Sequence, residues 1–279
     1  MTWLDKTFGK PKVAIGMVHL AALPGSPLYD DAAGMPSIIE EAAQDLVALQ
    51  DAGFDGVMFC NENDRPYVFE AGPETVAAMT TVVCALLPRI EVPFGVDVLW
   101  DPRAAIAIAK VVGAAFVREV LTGAYASDFG VWNTSIGETM RYRRQIDATG
   151  VKIMANISAE FAQPLADRPL EKVAKGVDLI ALADAMCVSG PMTGSSVDPQ
   201  QLKLAREAVP GAVLFANTGV NEDTIEKVLS SADGVVVGTS VKVDGVTWNP
   251  VSTERAAKFM KRFEEVRAQF ATATERPDS

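Results

Sequence analysis

The sequence is poor in the residues that build metal and redox centres. It holds one histidine, His19, and three cysteines, Cys60, Cys84 and Cys187, far apart and without a C-x-x-C pair. That pattern offers neither a zinc cluster nor a disulfide framework, and a reducing, cytoplasmic compartment is expected. Positive charge is also scarce: 25 Lys and Arg stand against 36 Asp and Glu, for a net charge of −11 and a pI near 4.7. Nucleic acids and anionic membrane surfaces both demand clustered basic residues, so neither is an expected partner. No uncharged apolar run of membrane-spanning length occurs, and the opening MTWLDKTFGKPK has no apolar signal core, so no membrane insertion is expected. A Gly/Ser/Pro-rich linker is missing too. Residues 1–279 are therefore read as one large domain, with 1–12 as an N-terminal extension and 271–279 as a disordered tail.

What is present is an alternation. Short apolar runs at 13–20, 56–63, 94–101, 116–123, 152–158, 178–184, 213–220 and 233–242 are separated by helical stretches at 36–51, 73–87, 102–112, 135–147, 169–175, 199 onward and 221–232. Eight such repeats predict a parallel α/β protein, and the length fits a (β/α)8 TIM barrel of the phosphate-binding type. A last amphipathic helix over 253–270 would close the barrel or pack on a second subunit, and a homo-oligomer is expected.

In such barrels chemistry gathers at the C-terminal ends of the strands. Those ends supply His19, Glu62, Asp97, Glu119 and Asp184 as candidate acid–base residues, with Asn156 near the end of the fifth run. Arg118 and Glu119 are neighbours in an extended segment, so only one of them should face the mouth. No lysine falls at the mouth end of the first seven strands, which disfavours a Schiff-base aldolase. The seventh and eighth runs end in Asn217-Thr218-Gly219 and Gly238-Thr239-Ser240, small residues whose free amides could hold an anion, with Lys242 as its counter-charge. The sixth run is followed by a lid-like loop carrying Ser189, Gly190, Thr193 and Gly194. Convergence of Asp97, Glu119 and Asp184 would instead give hard oxygen ligands for Mg2+ or another divalent cation.

The motifs IGMVHLAALPGSP (15–27), VREVLTGAYASDFG (117–130), CVSGPMTGSSVD (187–198) and VVVGTSVKVDGVTWNPV (235–251), with Arg255 beyond them, resemble the BtpA/SgcQ family over about residues 15–263. The resemblance implies the same phosphate-binding (β/α)8 barrel. It also implies two kinds of role, since one family member is associated with photosystem I assembly and another lies among sugar-transport and sugar-metabolism genes. The fifth run, MANISAEFAQPL, carries Asn156 and Ala159 where family members are more charged and histidine-rich. A substrate different from theirs is implied. The leading expectation is an acid–base enzyme on a small phosphorylated metabolite, a sugar phosphate or phosphorylated nucleoside, by isomerisation, epimerisation, lysis or glycosidic cleavage. A non-catalytic assembly or stability factor is the alternative, and a metal-dependent lyase or hydrolase the third.

Overall fold

Eight runs rich in Val, Ile, Ala and Met become parallel strands buried on both faces, in a computed structural model that describes residues 2–274. They are β1 (Val13–His19), β2 (Gly56–Cys60), β3 (Phe94–Asp97), β4 (Phe116–Val120), β5 (Lys152–Asn156), β6 (Ala185–Val188), β7 (Leu214–Ala216) and β8 (Gly234–Val237). Each pairs in parallel with the next, and β8 returns to β1 with Val13 opposite Gly234, closing the barrel. The chain is a (β/α)8 fold.

Alternation along the strands divides the core in two. Ile15, Met17, Met58, Cys60, Phe116, Met154, Cys187, Phe215 and Val236 fill the barrel interior, while Ala14, Val18, Val57, Val96, Val117 and Val235 pack against the helices. Interior volume is balanced across strands: a Cβ on Gly95 would lie 2.2 Å from the Phe116 ring, and one on Gly234 would lie 2.3 Å from the Phe215 ring. Glycine is thus what admits the two phenyl rings.

The helices follow as α2 (Gly34–Asp51), α3 (Pro73–Leu86), α4 (Pro102–Val112), α5 (Ile136–Gln145), α6 (Leu170–Gly176), α7 (Pro199–Ala208), α8 (Ile225–Leu229) and α9 (Thr253–Thr274). Sequence explains their starts: Pro73, Pro102 and Pro199 each sit in a first turn, and the Asp101 and Asp198 carboxylates accept from the first amides of α4 and α7. The last helix packs on α2 and α8 within the same chain, Phe259 stacking on Phe54, and so closes the outer ring. Of the expected tail, residues 271–274 belong to this helix, and 275–279 fall outside the described residues.

The N-terminal segment forms a short helix, α1 (Trp3–Phe8), that stoppers the bottom of the barrel. Trp3 stacks on Phe215 and donates from Nε1 to the Asp184 carbonyl at 2.9 Å, and Phe8 packs on Phe116. A second addition covers the top. Residues Ala124–Ser127 and Gly130–Asn133 form an antiparallel hairpin, joined by Ala162–Pro164, in the stretch expected to be a loop.

One strand differs from expectation. Residues 178–184 do not form the sixth strand: Val177–Ala181 is a π-helical turn that continues α6, Leu182 turns left-handed at φ 52°, and β6 starts at Ala185. Leu179, Ile180 and Leu182 are 73%, 71% and 67% exposed, and of this run Ala181 alone is fully buried in the core. The shift moves Asp184 from the mouth to the bottom rim. There its carboxylate accepts from Lys152 Nζ at 2.8 Å and the Ile153 amide at 3.0 Å, with Arg143 at 3.7 Å. Asp184 is structural, and the trio Asp97, Glu119 and Asp184 cannot share a cation. Asp184→Asn is expected to cost about 1–2 kcal/mol of stability, read as a lower melting temperature, with ligand binding intact. Lost turnover at unchanged stability would return Asp184 to the chemistry.

Candidate functional site

The mouth of the barrel is built from the last residues of β2 to β5 and the loops that follow them. Glu62 lies two residues past β2, Asp97 ends β3, Arg118 and Glu119 lie in β4, Asn156 ends β5, and Glu160 comes from the loop after it. With Tyr67, Leu99, Trp100, Val120, Phe161 and Thr193 they line a small chamber of about 40 Å3. Arg118 and Glu119 both reach it, contrary to strict alternation. Glu119 does so folded back on the strand end, its Oε2 accepting from the Val120 amide at 3.3 Å.

Four carboxyl groups thus face one guanidinium. Arg118 is ion-paired with Asp97 through Nη2 and Nε, both side chains buried. The remaining acids are pushed up. Burial, then the neighbouring Glu160, raises Glu62 to about 7. Burial and then Asp97 raise Glu119 well above the usual carboxyl range, and burial raises Glu160. Thr193 Oγ1 stands 3.1 Å from Glu62 Oε1 and 3.1 Å from Glu160 Oε2. One hydroxyl donates only once, so a proton on one of the two carboxyls completes this bridge.

A second hollow opens from the same wall. It shares Glu62, Arg118, Glu160 and Thr193 with the chamber and adds Met17, His19, Gly194, Asn217, Thr218, Gly219, Val236, Gly238 and Thr239. Here the loops after β6, β7 and β8 are stacked on one another. Gly219, at φ 64°, lies so close beneath the Ser196 backbone that a Cβ would stand 2.3 Å from it, so glycine is required on both counts. Ser196 Oγ donates to the Gly219 carbonyl at 3.1 Å, and the Gly190 amide donates to Thr218 Oγ1. The backbone amides of Thr218, Gly219, Thr239 and Ser240 have no acceptor among the described residues. His19 packs over Gly238, and burial, then the charge of Lys242, holds its imidazole well below its usual value.

The other candidates are placed differently. Ser189 and Asn156 join through Asn217, whose Nδ2 donates to Asn156 Oδ1 at 2.8 Å and to Ser189 Oγ at 3.1 Å. Ser189 and Gly190 border a wide groove between the small sheet and the loop after β6. Ser240 Oγ donates to the Val220 carbonyl, tying the last two loops together. Lys242 is not a counter-charge for any ligand. It is 1% exposed and ion-paired with Asp45 of α2, which also accepts from the Val251 amide. Among the described residues no group of three or more His, Cys, Asp or Glu is placed to hold a metal ion.

Over the chamber lies an aromatic canopy that no sequence motif announces. Tyr67 and Phe69 from the loop after β2, Trp100 from the loop after β3, and Tyr125, Phe129 and Trp132 from the hairpin build it, with Trp100 meeting Phe129 at 4.8 Å and Trp132 at 5.0 Å between centroids. Trp100 occupies the third position of a turn closed by the Asp101 amide and the Val98 carbonyl, at φ 72°. Glycine is the usual residue there, so the indole is held against backbone preference by its packing.

Fold and site together define a (β/α)8 barrel whose strand ends carry a desolvated carboxyl cluster beside a glycine-lined hollow. The chain belongs to the BtpA family, whose model matches residues 10–265. It is 46% identical to the sgc region protein SgcQ of Escherichia coli over 267 residues, which are 96% of this chain and 100% of that one. It is 34% identical to the photosystem I biogenesis protein BtpA of Synechocystis, over 94% of this chain and 91% of that one. Among solved structures, thiamine phosphate pyrophosphorylase from Pyrococcus furiosus superposes with a TM-score of 0.54 at 15% identity, over 93% of this chain and 96% of that one, a likeness of fold. Among the described residues no helix is long and apolar enough to cross a membrane.

Proposed function

We propose that this chain is an enzyme acting by carboxylate acid–base chemistry on a small phosphorylated metabolite. The observation that carries the reading is the shared wall: Glu62, Arg118, Glu160 and Thr193 border both the carboxyl chamber and the cradle of free amides. A ligand held at its phosphate by the amides of Gly219, Thr239 and Ser240 would place its body against Glu62, Glu119 and Glu160. With no free lysine beside the cradle, the phosphate is met by neutral backbone dipoles, as in other loop-built anion sites. A carboxyl held at about 7, as Glu62 is, can both give and take a proton near neutrality. That equips the site for isomerisation, epimerisation, lysis or glycosidic cleavage of a sugar phosphate or phosphorylated nucleoside.

A thermal-shift screen tests the cradle. Phosphorylated sugars and nucleosides are compared with their dephosphorylated counterparts, with and without Mg2+. A ligand at 100 times its dissociation constant adds roughly 2.7 kcal/mol, several degrees for a domain this size. Stabilisation by the phosphorylated members alone is expected. Silence across the panel, inorganic phosphate and sulfate included, would remove the phosphate reading and favour an assembly role of the kind named for the Synechocystis relative. Once a substrate is in hand, Glu119→Gln should abolish turnover while leaving binding; equal loss of both would assign Glu119 to binding alone.

A further inference from the structure

The chamber under the canopy contains two buried polar atoms that nothing in the proposed acid–base scheme satisfies. Trp100 Nε1, on a residue 6% exposed, has no acceptor among the described residues, and Glu119 Oε1, on a residue 4% exposed, receives no donor from them, its carboxyl meeting, among side chains, only that of Asp97; both side chains line this one chamber. A buried donor and a buried acceptor left open in one chamber are costly unless a ligand completes them. The chemistry of that ligand group is constrained from both sides. An ammonium could donate to Glu119 but could not accept from the indole, and a carbonyl or phosphate could accept from the indole but not donate. A hydroxyl does both, and it matches Glu119 whichever protonation state the carboxyl is in. The charge of the walls adds a second constraint: Glu62, Asp97, Glu119 and Glu160 face the single cation Arg118, already paired with Asp97. Arg118 is thus already engaged, and a further anionic group would enter this desolvated chamber without a counter-charge.

We propose that the chamber beneath Trp100 binds the uncharged, hydroxyl-bearing end of the ligand, with Trp100 Nε1 donating and Glu119 Oε1 pairing its hydroxyls. Resting on the phosphate reading of the cradle, this names the substrate class as a polyol monophosphate and rejects bisphosphates.

Titration calorimetry is run on the full chain with inorganic phosphate, pentose and hexose monophosphates, the corresponding bisphosphates and the unphosphorylated sugars. In the wild type a monophosphate should bind at least about tenfold more tightly than its bisphosphate. Trp100→Phe keeps a ring and removes the donor, and Glu119→Met keeps the length and removes the acceptor. Each should weaken monophosphate binding about tenfold with inorganic phosphate unchanged, which also reports an intact fold. Bisphosphates binding as tightly as monophosphates, or both variants binding monophosphates like the wild type, would overturn the inference. So would parallel loss of inorganic phosphate and sugar phosphate in both variants, or no binding by any probe. The two readings fail separately. Inorganic phosphate bound as tightly as any sugar phosphate would retain the cradle and sink the chamber. Unphosphorylated sugars bound in a Trp100-dependent way, with phosphate inert, would do the reverse.

Discussion

Arg118→Met is expected to lower the unfolding free energy by about 3–5 kcal/mol, measured as the midpoint of a urea titration, and to abolish activity. Arg118 and Asp97 are 7% and 1% exposed, so removing the cation leaves a buried carboxylate with no partner beside Glu119. The same guanidinium also holds down Glu62, Glu119 and Glu160, each of which burial drives upward. Without it, all three should take up protons at still higher pH. The double change Arg118→Met with Asp97→Asn removes both charges at once and should recover most of the lost stability, because the cost lies in the orphaned charge rather than in the missing pair. A single variant as stable as the wild type would mean that water reaches Asp97 and that the chamber is not desolvated.

The second large effect concerns pH. In the unfolded chain the Glu62 carboxyl titrates at its ordinary value of 4.5, and in the fold it is held at about 7. The folded state therefore keeps its proton over that interval while the unfolded state gives it up. Stability from this group is complete below pH 4.5, declines through the interval and is lost above pH 7. Converted to free energy, the difference opposes folding by roughly 3 kcal/mol at pH 8. Glu62→Gln mimics the protonated form and can still pair with Thr193. It should be more stable than the wild type by roughly 2–3 kcal/mol at pH 8, with the two converging near pH 4, while turnover is lost. Equal stability at pH 8 would show that Glu62 is already ionised without penalty, and its role as the group that exchanges protons near neutrality would go with it. The wild type is expected to carry this cost because an ionisable carboxyl facing a dry chamber is what the proposed acid–base chemistry needs.

The barrel was legible in the sequence because its signal is repeated eight times. Apolar runs of strand length alternate with helices opened by Pro73, Pro102 and Pro199, and any one misreading is corrected by its neighbours. The exception is DLIALAD, an apolar run short enough to fit either a strand or a helical turn. Misplacing that one strand reversed Asp184 from top to bottom. Positions at strand ends, such as Glu62, Asp97, Asn217, Gly219 and Gly238, were readable because topology alone sends them to the mouth. Glu160 and Trp100 were not, since both lie in segments without periodicity and nothing local says which way they point. Six aromatic residues scattered between 67 and 132 become a canopy only through the hairpin. Lys242 failed for another reason: its partner Asp45 lies almost 200 residues away, and no local pattern announces a buried ion pair.

The stopper at the bottom of the barrel sets an order of events during synthesis. The carbonyl that receives the Trp3 indole belongs to Asp184, which is made 181 residues later. The first strand likewise waits for Gly234 before its open edge is paired. At the usual pace of translation the Trp3 side chain spends roughly 10–40 s without its seat. The nascent chain therefore carries an exposed tryptophan and an unpaired apolar strand until those later segments emerge. Sealing of the barrel consequently waits for the last strand, which closes on the first.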